Sequence, residues 1–291
     1  MATVIVPPRP GLASPVKMTD ENFRSIREYI YQVTGIYFQD NKKYLLEGRL
    51  SKRLQALNLT RYDDYLQLLK FGSRRVDELR MFYEAITINE TFFFRNEPQF
   101  EALENTIIPE LMKARASGKT KLRIWSAAAS TGEEAYTIAM IYLEKLKPRF
   151  PGLDIEVVGT DINHAVLQTA RDGVYRDYSV RNMPKAYMDK YLVARDGRYH
   201  VKDTLRQFVR FEHLNLYDDA RMRQMRNFDV TFCCNVLIYF DLPSKTKVVA
   251  HLYDGLNKGG FLFIGYAESL HGISKAFRLM NFPKTVAYRK E

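Results

Sequence analysis

Residues Lys121 to Met140 read KLRIWSAAASTGEEAYTIAM, and the order of residue types in that stretch decides the fold class. KLRIWSAA is a near-continuous apolar run, the pattern of a strand buried on both faces. The run passes into small residues, Ser126 to Ser130, and the loop closes at Gly132. GEEAYTIAMIYLEKLK then shows helical spacing of its apolar positions. A strand, a loop of small side chains and a helix open a βαβ unit. Small residues there let the backbone approach a ligand closely.

The alternation continues along the chain. DIEVVGTDI reads as a second strand and NHAVLQTARDG as the helix after it. QFVRFEHLNL, NFDVTFCCNV and GGFLFIGYAE are the third, fourth and fifth strands. PSKTKVVAHLYDGLNKGG is the helix between the last two, expected to end at the Gly259–Gly260 pair. FRLMNFPKTVAYRK reads as two short extended runs around a turn, a closing hairpin. Alternating strands and helices imply a parallel, doubly wound sheet, to which the hairpin adds an antiparallel edge. The segment from about 174 to 207 breaks the alternation. Its DGRY turn between extended runs marks an insertion, part helical and part small antiparallel sheet.

Upstream, from Met18 to about Phe94, only helical patterns occur. The first helix takes Thr19 or Asp20 as its N-cap, repeats Phe23, Ile26, Ile30 and Val33, and stops at Gly35. NKKYLLEGRLSKRLQALN carries the stripe Leu46, Leu50, Leu54, Leu57, and RYDDYLQLLK and RRVDELRMFYEAI add two more helices. The expected division is a flexible tail over 1–17, a helical domain over 18–90, a linker over 91–105 and the sheet domain over 106–291.

Composition sets outer bounds. Of 291 residues, 46% are apolar, enough to bury a sizeable core. The longest apolar run, VTFCCNVLIYF, is too short to span a bilayer. The N-terminus lacks the charged and apolar regions of a secretory signal, so a cytoplasmic protein is expected. Net charge is 44 − 34 = +10. That suits an anionic partner, whether nucleic acid, acidic protein or anionic membrane surface, and equally suits a basic protein with none. Both cysteines, Cys233 and Cys234, are adjacent. Neighbouring Cα atoms lie about 3.8 Å apart, short of the ~4.4–6.8 Å a bridge needs. No metal site is expected, because the five histidines have no ligand spacing among themselves or with the cysteines.

Polar residues stand where a ligand would sit, at the carboxyl ends of the strands. After the first strand there is no G-x-G-x-x-G and no Walker lysine; Glu133 and Glu134 follow Gly132 instead. Two carboxylates repel a pyrophosphate and attract an ammonium or sulfonium group. They equally complement a helix N-terminus. Asp161 at the end of the second strand suits ribose hydroxyls; the other reading is that Asp161 or Asn163 caps the next helix. Asn215 and Asn235 end the third and fourth strands. A ligand with a ribose, an adenine and a cationic tail describes S-adenosylmethionine better than NAD. Upstream, TINETFFFRNEP suggests a segment crossing a cleft, with Asn89, Thr91 and Arg95 on its polar side.

Together, TINETFFFR, WSAAASTGEEAYTIAM and NVLIYF resemble the chemotaxis receptor methyltransferases, the CheR family, and the likeness runs from about Met18 to the C-terminus. The resemblance implies a doubly wound, mostly parallel seven-stranded methyltransferase sheet, a small all-helical N-terminal domain and a small inserted β-subdomain. It implies methyl transfer from S-adenosylmethionine to glutamate side chains of receptor signalling domains, leaving S-adenosylhomocysteine. Asn89, Thr91 and Arg95 would form the linker side of the cofactor pocket, beside Ala128 and Gly132. Glu134 would take the methionine amino group and Asp161 the ribose. Asn215, Leu216, Cys234 and Asn235 would line the adenine and methionine side, and Tyr239 would face the methyl group. Arg95 and Tyr239 are the expected catalytic pair. Lys42, Arg49 and Lys52 match the family's basic docking helix, with Gln55 where a further basic residue is usual. The β-subdomain matches the one that, in some members, binds a receptor's C-terminal peptide by strand addition. Cys234 stands where the family usually has Arg.

A glutamate carboxylate, with pKa near about 4.3, is already ionised at neutral pH and needs no strong base. Two other readings carry different marks. A nucleic-acid methyltransferase would show Pro-Cys, Thr-Cys or Asn/Asp-Pro-Pro-Tyr, and Phe232 precedes Cys233 here. A regulatory module would bind cofactor without transferring. No nucleic-acid partner and no membrane insertion are therefore expected.

Overall fold

A computed structural model describes residues 16–115 and 120–291. Most of the expected N-terminal tail, 1–15, and most of the ASGKT loop lie outside them. The chain divides into two compact units. One is made of residues up to Tyr29 together with Phe38–Ile86, and the other of Ile30–Tyr37 with Thr87–Glu291.

The first unit is helical: α1 (Asp20–Thr34, whose last turn belongs to the second unit), α2 (Lys43–Ala56), α3 (Tyr62–Phe71) and α4 (Arg75–Ile86). Thr19 settles the N-cap choice, since its Oγ1 accepts from Asn22 N at 3.1 Å. Gly35, at φ +72°, ends α1 as expected. Leu46, Leu50 and Leu54 are fully buried. Each such side chain contributes roughly 1.5–3 kcal/mol of burial. Leu57, just past the end of α2, is only half-buried. Inside the unit, Glu78 accepts from Arg53 through Nε (3.0 Å) and Nη2 (2.7 Å), and from the Tyr65 hydroxyl at 2.8 Å. Burial pushes the Tyr65 phenol well up, which keeps it a donor.

The second unit holds a seven-stranded sheet in the order β6-β2-β1-β7-β8-β10-β9. Its strands are β1 (Thr120–Ala127), β2 (Leu153–Asp161), β6 (Val209–His213), β7 (Phe228–Cys233), β8 (Leu256–Ile264), β9 (Phe277–Phe282) and β10 (Thr285–Lys290). The first five pair in parallel, and the β9–β10 hairpin closes the edge antiparallel. Side-chain alternation divides the sheet between two apolar cores. Leu122, Ile124, Val230, Phe232, Phe261 and Phe263 enter one; Trp125, Ala127, Cys233, Leu262 and Ile264 enter the other. This is why the strand runs are apolar without a break. It also places Cys233 and Cys234 on opposite faces, and both are free thiols.

One expected boundary is wrong. The helix Leu242–Gly255 ends at Gly255, and Gly259 and Gly260 lie inside β8. The pairing of β7 with β8 slips between Phe228 and Val230, so the extra residues of β8 bulge there. Gly259 takes φ +78°, and a Cβ on Gly260 would come within 3.0 Å of Asp229 O. The glycines serve a bulge, whose signal in a sequence is the same as that of a helix stop.

The insertion forms a three-stranded antiparallel sheet, β3 (Val174–Tyr175), β5 (Arg198–Val201) and β4 (Leu192–Arg195), in the order β3-β5-β4. Asp196 and Gly197 make the turn, both at positive φ. The insertion is stitched to the NETFFFR segment. Phe93 N donates to Ser179 O at 2.9 Å, the Arg181 guanidinium lies 3.5 Å over Phe92 and 3.7 Å over Tyr178, and the Tyr178 hydroxyl donates to Glu90 at 2.9 Å. The three phenylalanines split as their spacing requires. Phe93 is fully buried against Tyr175, while Phe94, at φ +59°, turns its half-buried ring to Tyr187.

Candidate active site

Parallel pairing brings the ends of β1, β2, β6 and β7 to one edge of the sheet. Past β1 the backbone makes three left-handed steps, at Ala128 (φ +62°), Ser130 (φ +50°) and Gly132 (φ +93°). Two of them fall on residues with a Cβ, at a cost of roughly 1–2 kcal/mol each. Hydrogen bonds to the neighbouring strand hold the loop: Ala129 N donates to Thr160 O at 2.8 Å, and Ser130 N to Asp161 Oδ2 at 2.9 Å. Gly132 is required sterically as well, because a Cβ would lie 2.7 Å from Phe211 and 2.8 Å from Ala170. Strain fixed in this way at a strand end is a mark of a functional loop.

The loop delivers Glu133 and Glu134 to the start of the helix Glu133–Ile141. Their environments differ. Glu133 is fully buried; one oxygen accepts from Thr131 Oγ1 at 2.7 Å and the other has no partner among the described residues. Burial raises its pKa, against the Thr131 bond. Glu134 is partly accessible and accepts from Ser126 Oγ at 2.6 Å. Burial raises it to about 7, opposed by hydrogen bonds from Ser126 and Cys234 and by the charge of Arg95. A carboxyl held so high lacks a close compensating cation.

Asp161 is buried at the end of β2, and its two oxygens accept from Ser130 N and Asn163 N, each at 2.9 Å. Burial raises it to about 6, against those amide bonds. Capping of the next helix falls to Asn163 alone, whose Oδ1 accepts from Ala165 N and Val166 N. Its Nδ2 donates to Thr87 Oγ1 at 2.9 Å, and Asn89 Nδ2 donates to the same hydroxyl at 3.3 Å. The end of β2 and the start of the linker are thus joined. Ser130 Oγ is buried there without a partner among the described residues.

Beyond β6, Asn215 secures backbone: Nδ2 donates to Val33 O at 2.7 Å and Oδ1 accepts from Tyr217 N at 3.0 Å. Leu216 beside it is buried. Beyond β7, Cys234 donates to Gln99 Oε1 at 3.3 Å, Asn235 turns left-handed at φ +59°, and a 3-10 turn spans Leu237–Tyr239. Burial, and then the Glu134 charge, push the Cys234 thiol up. Tyr239 O accepts from Tyr37 N at 2.9 Å. In the linker, Thr91 and Arg95 are half-buried, and Arg95 Nη1 donates to Glu90 O.

The structure therefore gathers Ser126, Glu134 and Cys234 in one cluster within the field of Arg95, and Asp161, Asn163, Thr87 and Asn89 in another. In the helical unit Lys42 precedes α2, Lys52 is exposed, and Arg49 Nη1 donates to Ile86 O at 2.9 Å. Sequence reasoning missed two residues. Gln99, almost fully buried, also donates through Nε2 to Ile264 O at 2.6 Å, and its partners lie more than a hundred residues away. Glu268, in GYAESL past β8, accepts from backbone beyond both β7 and β8. Neither carried a local signal.

A doubly wound sheet with carboxylates and a strained small-residue loop at its carboxyl edge suits a nucleoside-type ligand with a cationic group. Comparison with known proteins agrees. The family profile described as CheR methyltransferase, SAM binding domain, matches residues 89–286, and that of the CheR methyltransferase all-alpha domain matches 21–87. The chain belongs to the CheR methyltransferase family, and S-adenosylmethionine is its cofactor. It is 37% identical to chemotaxis protein methyltransferase 2 of Vibrio cholerae over 276 residues, 94% of each chain. It is 35% identical to the chemotaxis protein methyltransferase of Vibrio parahaemolyticus, covering 94% of this chain and 98% of that one. Against the Borreliella burgdorferi protein of the same name the identity is 33%, covering 88% and 91%.

Proposed function

We propose that the protein methylates glutamate side chains on the signalling domains of chemotaxis receptors in the cytoplasm. The observation that carries this reading is the pair Glu134 and Asp161, carboxylates fixed by Ser126 Oγ and by two backbone amides at the carboxyl edge of the sheet, in a chain of this family. They fit the cofactor's two polar ends. Glu134 accepts from the methionine ammonium, which supplies the cation the site lacks. Asp161 has a second lone pair on each oxygen and accepts from the ribose hydroxyls. Ala128 and Gly132 let the backbone close on the ligand, with Ser130 Oγ as an unspent donor. Asn89, Thr91 and Arg95 form the linker wall, and Leu216, Cys234 and Asn235 the opposite one. Asn215 acts through its grip on Val33 and Tyr217 as well as through its own surface.

When bound, S-adenosylmethionine supplies an electrophilic methyl group on a sulfonium sulfur. The acceptor carboxylate is already ionised, so the protein positions and does not deprotonate. Arg95 and Tyr239 would orient the acceptor carboxylate for in-line attack on the methyl carbon, the alignment on which such a transfer depends. Lys42, just before α2, and Arg49 and Lys52 on it supply a basic docking face for an acidic receptor helix; Arg49 does so while bracing Ile86. The β4 edge of the insertion offers backbone groups to a receptor's C-terminal peptide. Among the described residues no helix is long and apolar enough to cross a membrane.

The test is transfer of tritiated methyl to receptor-containing membranes. Label in base-labile ester on the receptor supports the reading. Label in nucleic acid, or cofactor binding without transfer, overturns it. Arg95→Ala and Tyr239→Phe should each lower turnover; full turnover with unchanged cofactor affinity in both would remove the assignment of those two residues.

A further inference from the structure

Glu268 stands in the turn after β8, where Glu268 N donates to Gly265 O at 2.9 Å. Its carboxylate accepts three backbone N–H groups from two separate segments. Oε2 takes Gly265 N at 2.6 Å and Asn235 N at 2.9 Å, and Oε1 takes Ile238 N at 3.1 Å. The carboxylate thereby ties the end of β7 to the end of β8. The fit is close. A Cβ on Gly265 would lie 2.7 Å from both Asn235 Oδ1 and Glu268 Oε2, so only glycine lets the two segments meet.

What the carboxylate holds is the loop from Cys234 to Tyr239. Asn235 is left-handed at φ +59°, an unfavourable conformation for a residue with a side chain, and its N–H is one of the three bonds. Ile238 N, the third, fixes the 3-10 turn that carries Tyr239. The two oxygens of the Glu268 side chain have acceptor sites for all three amides, where a side-chain amide offers only one oxygen.

We propose that Glu268 is a positioning residue for the methyl-transfer site: it sets the Cys234–Tyr239 loop so that Asn235 and Tyr239 face the cofactor together. This rests on the function proposed above. Glu268 touches neither cofactor nor acceptor and acts only through that loop.

The test is Glu268→Gln in the full chain. The amide offers a single oxygen and sets its own NH2 against backbone donors, so at least one bond is lost. Affinity for S-adenosylhomocysteine, measured by calorimetry, should fall about tenfold, and kcat should fall by a similar factor. KM for receptor membranes should stay at the wild-type value. Amide exchange should quicken at Asn235, Ile238 and Gly265 and not at Leu122 in the core of β1. Wild-type affinity and kcat in the variant would overturn the proposal. So would a uniform rise in exchange across the sheet with a lowered unfolding midpoint, the sign of a merely structural residue. Failure of the wild type to transfer methyl to receptor sinks the functional reading instead, and the exchange pattern at the three amides still decides whether Glu268 holds the loop.

Discussion

Ser126 Oγ donates to Glu134 Oε1 at 2.6 Å across the loop that joins β1 to its helix, and the charge of Arg95 also acts on that carboxyl. The arrangement stabilises the charged form only in part, and burial leaves Glu134 titrating at about 7. An ammonium bound there requires the ionised form. Affinity for S-adenosylhomocysteine should therefore rise between pH 6 and pH 8 and level off above, with proton release on binding near pH 7. Calorimetry in buffers of different ionisation enthalpy measures that release. In the free protein the folded pKa lies above its ordinary 4.5, so the folded state holds more protons than the unfolded one between those values. This group's contribution to stability is complete at low pH and is lost as pH rises to about 7. Bound ligand should erase the loss.

Cys234 puts a small thiol beside the Glu134 carboxyl, where the family resemblance led to the expectation of Arg. It contacts Gln99 at 3.3 Å and borders Glu134. Cys234→Arg should bring a permanent charge to the Glu134 carboxyl, lower its pKa and tighten product binding. A titration showing unchanged or weaker affinity would mean that Arg95 already fills the role.

Gly132→Ala places a Cβ at φ +93° and within 2.8 Å of Phe211 and Ala170. Adding strain to overpacking should cost about 2–3 kcal/mol. The urea midpoint should fall and cofactor affinity should fall with it. Loss of affinity at an unchanged midpoint would contradict the packing argument.

In the helical unit, Glu78→Gln leaves Arg53 half-paired and the Tyr65 hydroxyl with a weaker acceptor. A broken buried pair costs about 3 kcal/mol, which chemical denaturation of the full chain should show as loss from this unit. Methyl transfer at low temperature, below the transition, should persist.

The sheet was legible because each strand of the parallel part is buried on both faces, and a short unbroken apolar run such as KLRIWSAA suits few positions in a fold besides a central strand. The places of Glu134 and Asp161 were legible, because one opens the helix after β1 and the other closes β2. The bulge at Gly259 was not, since paired glycines after a helix fit a stop equally well. Gln99 and Glu268 were not, because their hydrogen bonds join segments distant in the chain and leave no periodicity to read. The opposed faces of Cys233 and Cys234 follow from strand alternation once the strand is accepted, and that alone excludes a bridge between them.

The cation sandwich of Arg181 between Phe92 and Tyr178, with the backbone bond from Phe93 to Ser179, makes the insertion a splint for the linker. It cannot be trimmed away as an accessory. A shortened chain lacking residues 174–207 would lose more than the edge proposed above for a peptide. The NETFFFR strip would be left without its outer support, and the cleft would lose its shape before any receptor arrived. Any minimal version of this enzyme must keep at least the Tyr175–Arg181 stretch, whatever becomes of the strands beyond it.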